Sequence, residues 1–245
     1  MTISKKAWDN YLAIMKRIDA KAYKLMKDFV ETNGLEAKPL IRAACEIATT
    51  YGESSAAVAA EMFEAISDLA GHPVTAEMAE TASYSKVAQT VNGVMKQSQN
   101  ADTIAASVSR LVKLAGENTM LNNARKYKAQ IAWIPRGDTC AYCIALASRG
   151  WQTATGTGDA EHIHGNCDCH YAIRYDETST VSGYDPKDYL RIYRDAPGHT
   201  SKDKLNSMRR DFYAENKDKI NEQKRSAYAK RKELNSSQAE EADIV

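Results

Sequence analysis

Cys140-Ala141-Tyr142-Cys143 sets two thiols three positions apart, and His164-Gly165-Asn166-Cys167 sets an imidazole and a thiol at the same interval. Cys169 follows two residues later. A two-residue spacer lets both side chains of a tight turn reach one metal ion, and two such turns complete a tetrahedron. Cys140, Cys143, His164 and Cys167 make a Cys3His set, with Cys169 as an alternative fourth thiolate and His162 and His170 as further imidazoles in the same window. Thiolate and imidazole ligands together suit Zn2+, whereas calcium and magnesium take oxygen. Four or five good ligands point to a closed, structural zinc site, because a catalytic zinc keeps one position open.

Other uses of these residues weigh less. Nucleobase deaminases carry an H-x-E followed by P-C-x-x-C, but no H-x-E precedes Cys140 and Thr139 stands where the proline belongs. A metal-dependent nuclease of the HNH kind would use His162 in Glu161-His162-Ile163, yet Asn166 lies too close to it and Cys167-x-Cys169 has the wrong spacing for a second C-x2-C. Cys45 belongs to a helical apolar face and reads as a core residue.

The elements that must carry this cluster are legible from the apolar periodicity. Trp8, Tyr11, Met15, Ile18, Ala22, Leu25 and Phe29 step by three and four, which lines one face of a helix that Asn33-Gly34 is placed to end. A second helix is expected from Lys38-Pro39, interrupted at Tyr51-Gly52 and resumed through Val58, Met62, Ile66 and Leu69. Further helices are expected over 75–97, capped by Thr75, and over 102–115. Composition shifts near residue 131: residues 131–135 and 171–175 read as short strands around a stretch of small, turn-forming residues. The expected fold is therefore mainly α. A helical domain over 1–130 is followed by a small zinc-stabilised α+β module over 131–176, then by a loop, a basic helical segment and an acidic tail over 177–245. The middle segment is too poor in apolar residues to fold alone, and a structural metal would supply what its core lacks.

Length and charge bound the rest. The chain has 245 residues, 43% of them apolar and 27% charged, with a formal net charge of +1. That is enough to bury a core and excludes wholesale disorder. No apolar run reaches membrane-spanning length, and the start leads into an amphipathic pattern rather than a signal peptide, so disulfides are not the expected use of the cysteines. The neutral total hides an uneven distribution. Residues 201–235 hold eleven Lys and Arg against six Asp and Glu. Arg209, Arg210, Lys217, Lys224 and Arg225 surround a narrow apolar stripe of Leu205, Met208, Phe212 and Ile220. Such a helix is expected to meet an acidic partner or nucleic-acid phosphates, in a salt-dependent and sequence-independent way. Asp218 and Glu222 among the lysines neutralise part of that charge.

The run from Trp133 to Trp151, with Cys140-x2-Cys143 and Ser148-Arg149-Gly150, followed by His164-Gly-Asn-Cys167-Asp-Cys169, resembles the signature of the MuF-like minor capsid or head morphogenesis proteins of tailed phages. Tyr51-Gly52, leading into an Ala-rich helix that ends at Met62-Phe63, is similar to the helical half of those proteins. His170 departs from the pattern, where a threonine is more usual. The resemblance covers about residues 40–175. It implies a minor virion component that acts in the capsid interior and associates with the portal or the major capsid protein during assembly. No membrane and no small-molecule substrate are implied. Some relatives are labelled maturation proteases, but no Ser or Cys here keeps a His or Asp partner once the metal cluster is assigned. A non-enzymatic role is expected.

Overall fold

The computed structural model describes residues 2–136, 139–155, 160 and 168–218, together with residues 221, 222, 225, 226 and 229. They form two units, Met1–Arg194 and Asp195–Val245. The fold is mainly α with a small sheet.

Helix α1 (Lys5–Asn33) starts where the Ser4 hydroxyl accepts the Ala7 N–H at 3.2 Å. It ends at Gly34, whose φ of 72° takes the left-handed turn expected there while its N–H reaches Val30 O. Trp8, Tyr11, Met15, Ala22, Met26 and Val30 are buried along one stripe. Helix α2 (Ala37–Leu69) runs without a break through Tyr51-Gly52, contrary to the interruption expected from sequence. Gly52 is there for proximity: a Cβ at that position would lie 2.9 Å from Thr81 Cγ2.

The neighbour that Gly52 admits is an extended strap over residues 72–83, where sequence periodicity predicted the start of a helix. Side chains of α2 and of the helix that follows α3 satisfy its backbone in place of helical hydrogen bonds. Glu77 N–H donates to Asn123 Oδ1 (2.9 Å), Asn123 Nδ2 donates back to Glu77 O (2.7 Å), and Ala79 N–H donates to Thr119 Oγ1 (2.9 Å). Ala76 N–H donates to Glu64 Oε1 at 2.8 Å. Such tertiary partners remove the advantage that a local helix would have. Helix α3 (Tyr84–Gln97) follows, capped by Ser83 rather than Thr75.

Helix α4 (Ala101–Lys126) is the centre of the first unit and extends eleven residues beyond the predicted end at 115. Asp102 in its first turn and Arg125 and Lys126 in its last match the helix dipole. From Leu111 to Leu121 it is buried on nearly every side, Asn118 alone being half-exposed, as befits a helix packed against α1, α2, α3 and the sheet.

Strand β1 (Thr2–Ile3) pairs in parallel with β5 (Thr180–Val181). The larger sheet has the order β3-β2-β4, all antiparallel: β2 (Gln130–Ile134), β3 (Gln152–Thr153) and β4 (His170–Arg174). Both long strands fall within a residue of their expected positions. The β2–β4 register sets Trp133 opposite Tyr171 and Ile134 opposite His170. Strand alternation divides β2 between two apolar clusters, with Trp133 packing among α1–α4 residues such as Met26, Leu40 and Val108. Ala132 and Ile134 join Trp8, Phe63, Met120 and Ile173. The segment expected to lack a core thus shares the core of the helices. Helices α5 (Ala141–Ala147) and α6 (Pro186–Asp195) complete this unit, and α7 (Ser201–Glu215) opens the second with a capping box between Thr200 and Asp203.

Candidate metal centre

Cys140 occupies the N-cap of α5 in extended conformation, and its carbonyl accepts the Ile144 N–H at 3.0 Å. Cys143 is the third residue of that helix. N-cap and third-residue side chains converge at the start of a helix, the geometry that capping boxes exploit. The C-x2-C spacing therefore places both thiols on one helical turn. Cys143 is buried and Cys140 half-buried.

Cys169 directly precedes β4 and is 2% exposed. It lies with Cys140, Cys143, Ala160, Trp133, Leu146 and Tyr171 in one apolar cluster continuous with the helices. Cys169 thus packs in the same cluster as the Cys140–Cys143 pair twenty-six residues earlier. Among the described residues, however, no three His, Cys, Asp or Glu side chains come together around one ion. His162, His164 and Cys167 lie outside the described residues. For Zn2+ the observable half of the donor set fits: two sulfur donors on one helical turn, set beside an apolar, packed wall. Within the loop between β3 and β4, Ala160 N–H donates to Asn118 Oδ1 of α4 at 2.8 Å.

Sequence reasoning missed a buried polar cluster beside this region. Glu117 of α4 is fully buried, and its carboxylate takes two bonds from the start of β4. Nδ1 of His170 donates to Oε1 at 2.5 Å, and Tyr171 N–H donates to Oε2 at 2.8 Å. His170, one of the further imidazoles of the ligand window, is thereby engaged by the helical body. Its ring also meets the Tyr11 ring edge-on, with centroids 5.8 Å apart. Asp19 of α1 belongs to the same neighbourhood. Burial pushes its carboxyl up to about 7, the Glu117 and Asp168 charges add to this, and Lys113 opposes it. Burial, then Glu117 and Asp19, hold the Tyr11 hydroxyl well above its ordinary value. Tyr11 Oη and Asp19 Oδ1 have no hydrogen-bond partner among the described residues. At the surface, Lys16 Nζ and Asp168 Oδ2 pair at 3.0 Å.

With side-chain exposures of 0% and 4%, Glu117 and His170 sit inside the packing, where they brace α4 against β4 rather than meet a substrate. The signal was present in the sequence: Lys113 and Glu117, one turn apart, interrupt the apolar window 111–121. Without α1 and β4 in place, nothing distinguished them from a solvated helix face.

The basic segment belongs to the second unit. Arg209 and Arg210 lie exposed on α7, and Lys217 and Arg225 are exposed beyond it. Leu205 is half-buried and Met208 buried, whereas Phe212 is 37% exposed. Lys224 and Ile220 lie outside the described residues.

A helical body with a three-stranded sheet and a thiol-bearing helical turn defines the class of chain on structural grounds. The model of the VG15 protein family matches residues 2–196, which span β1 through α6 and stop short of α7. The chain belongs to the VG15 protein family, a family of viral or phage gene products. No curated protein and no solved structure matches it. Among the described residues no helix is long and apolar enough to cross a membrane.

Proposed function

We propose that the protein is a minor capsid, or head morphogenesis, protein of a tailed phage: a structural and assembly component of the virion interior, without an enzymatic role. The observation that carries this reading is the C-x2-C turn at the start of α5, in a chain whose family is of viral or phage origin and whose signature resembles that of MuF-like proteins. Zn2+ held by Cys140, Cys143, His164 and Cys167, or with Cys169 as the alternative thiolate, would cross-link the loop between β3 and β4 to α5. That cross-link would hold the 144–163 region in one shape for the portal or the major capsid protein to recognise. The match to the family ends at residue 196, so Arg209, Arg210, Lys217, Lys224 and Arg225 lie outside the matched residues. Their role in this reading is contact with packaged DNA phosphates.

Two measurements test the reading. Affinity capture from assembling heads should recover portal or major capsid protein; capture that recovers neither overturns the assembly role. Metal analysis of protein purified in reducing buffer should find about one zinc per chain, and less than about half an equivalent removes the zinc. For the basic segment, deletion of residues 201–245 should abolish salt-sensitive DNA retention. Retention that survives the deletion overturns the tail contact.

A further inference from the structure

We propose that the outer faces of α1 and α2 form a two-fold docking surface for a second copy of this chain, with the basic α1 of each copy seated on the acidic α2 of the other. The proposal stands apart from the zinc and capsid readings given above. On α1, Lys6, Asn10, Ile14, Arg17, Lys21 and Lys24 recur by three and four, and all are exposed on the side opposite the buried stripe. On α2, Glu46, Thr50, Glu53, Ala57, Glu61 and Asp68 make the same kind of outward stripe, all exposed except the half-buried Ala57. Residues 43–85 hold seven Asp and Glu and no Lys or Arg. The basic stripe meets an acid only at its end, where Asp28 pairs with Lys24 at 2.5 Å. Arg17, Lys21, Glu46, Glu53, Glu61 and Asp68 enter no side-chain hydrogen bond or ion pair among the described residues. Each stripe repels itself along its own helix, and a stripe of the opposite sign relieves that repulsion.

The hairpin itself fixes which charges meet. Residues 34–36 join the two helices, and Met15 Sδ lies 4.0 Å from Ser55 Oγ. Both ends agree with that antiparallel register, since Val30 shares a cluster with Leu40, and Trp8 shares one with Ile66. A two-fold axis running along the hairpin keeps every residue at its level while exchanging α1 for α2. Ile14 of one copy then stands over Ala57 of the other, a large apolar side chain, 37% exposed, against a small one. Arg17 comes beside Glu53, Lys24 beside Glu46 and Asn10 beside Glu61. A two-fold axis across the helices would stack α1 on α1, basic on basic. The contact is isologous, so both helix pairs form at once and the assembly closes as a dimer. Charges of this kind set orientation and partner choice more than raw affinity, and salt screens them.

The test is sedimentation equilibrium of the nuclease-treated full chain, with far-UV circular dichroism to show that each variant folds. The wild type should dimerise at low salt, and its dissociation constant should rise about tenfold or more between about 50 mM and about 500 mM NaCl. R17E and E53R should each weaken the dimer about tenfold or more. The double variant R17E/E53R should dimerise again, because each reversed charge meets its reversed partner across the axis. R209E/R210E on α7 should behave as wild type. Carbodiimide coupling of mixed isotope-labelled and unlabelled copies should join Lys24 to Glu46 between chains. A chain that stays monomeric at low salt up to about 100 μM overturns the proposal. So does a dimer indifferent to R17E and E53R, or a double variant that stays monomeric. Loss of the dimer in R209E/R210E would assign it to the basic segment and overturn this face as well. If the reversed variants do not fold, the carbodiimide coupling of the wild type decides.

Discussion

The Glu117 carboxylate lies 2.5 Å from Nδ1 of His170, fifty-three residues further along the chain, and neither side chain reaches solvent. This contact joins the central helix of the body to the first residue of the strand that leaves the candidate metal loop. A buried, hydrogen-bonded pair of this kind is costly to break from one side and far less costly to replace whole. Glu117→Ala leaves the imidazole and the Tyr171 amide buried without their acceptor. It should lower stability by about 3 kcal/mol in urea unfolding. Replacing both members, Glu117→Leu with His170→Leu, should lose much less than the sum of the two single changes. Additive losses would show that the two residues do not act as a pair.

Asp19 carries a pH dependence whose sign is set by burial. Its carboxyl titrates at about 7 in the folded chain, against an ordinary value of 3.8. The folded chain thus binds this proton more tightly than the unfolded one, so Asp19 contributes a stability loss that grows as pH rises from about 4 to about 7 and then stays constant. Asp19→Asn should flatten that slope and raise stability at pH 8 by up to about 4 kcal/mol, with little change at pH 4. Urea midpoints at the two pH values measure it; an equal shift at both would place the effect in packing rather than in charge.

Gly52 tests the close approach of the strap to α2. Alanine is the better helix former by about 1 kcal/mol, but its Cβ would stand 2.9 Å from Thr81 Cγ2. Gly52→Ala should therefore lower the melting temperature despite the improved propensity, and Thr81→Ser in the same chain should restore part of the loss by removing that methyl group. A Gly52→Ala chain that melts higher than wild type would show that the strap yields without cost.

Asn123 holds the strap at Glu77 from both sides, accepting its N–H and donating to its carbonyl. Asn123→Leu should leave both backbone groups without these partners and cost about 2 kcal/mol. The loss should be local. Hydrogen exchange and limited proteolysis should speed up over residues 72–83 while α1 and the first half of α4 stay protected.

The thiols divide into two kinds. Cys143→Ser should release zinc from the purified protein, whereas Cys45→Ser should not, because Cys45 packs against the cluster among α1–α4 rather than at the α5 turn. Far-UV circular dichroism of the Cys143→Ser chain should keep most of its helical signal, since Trp133, Ile134 and Ile173 anchor the sheet in the shared core without the metal. Retention of zinc by Cys143→Ser would remove this residue from the ligand set.

Periodicity alone placed α1, the two strands and the start of α4 close to where they lie, because each carries an apolar repeat that any packed partner would satisfy. The repeat failed at 75–83, where a plausible helix pattern is overridden by Asn123, Thr119 and Glu64, residues distant in sequence that bond the extended backbone. It failed again at Gly52, which reads as a break when the strap beneath it is unknown.

The chemistry divides along the same line. Cys140 and Cys143 were legible as a neighbouring pair of thiols because their spacing is local, and one helical turn carries both. Charge segregation into 201–235 was legible for the same reason, since composition needs no fold. The engagement of His170 by Glu117 was not, because it depends on α4 and β4 meeting across fifty-three residues of chain. Local spacing singled out the cysteine pair as a candidate. Only the packed helices decided which imidazole faces inward to a carboxylate, since a long-range contact leaves no periodic trace in either of the segments that make it.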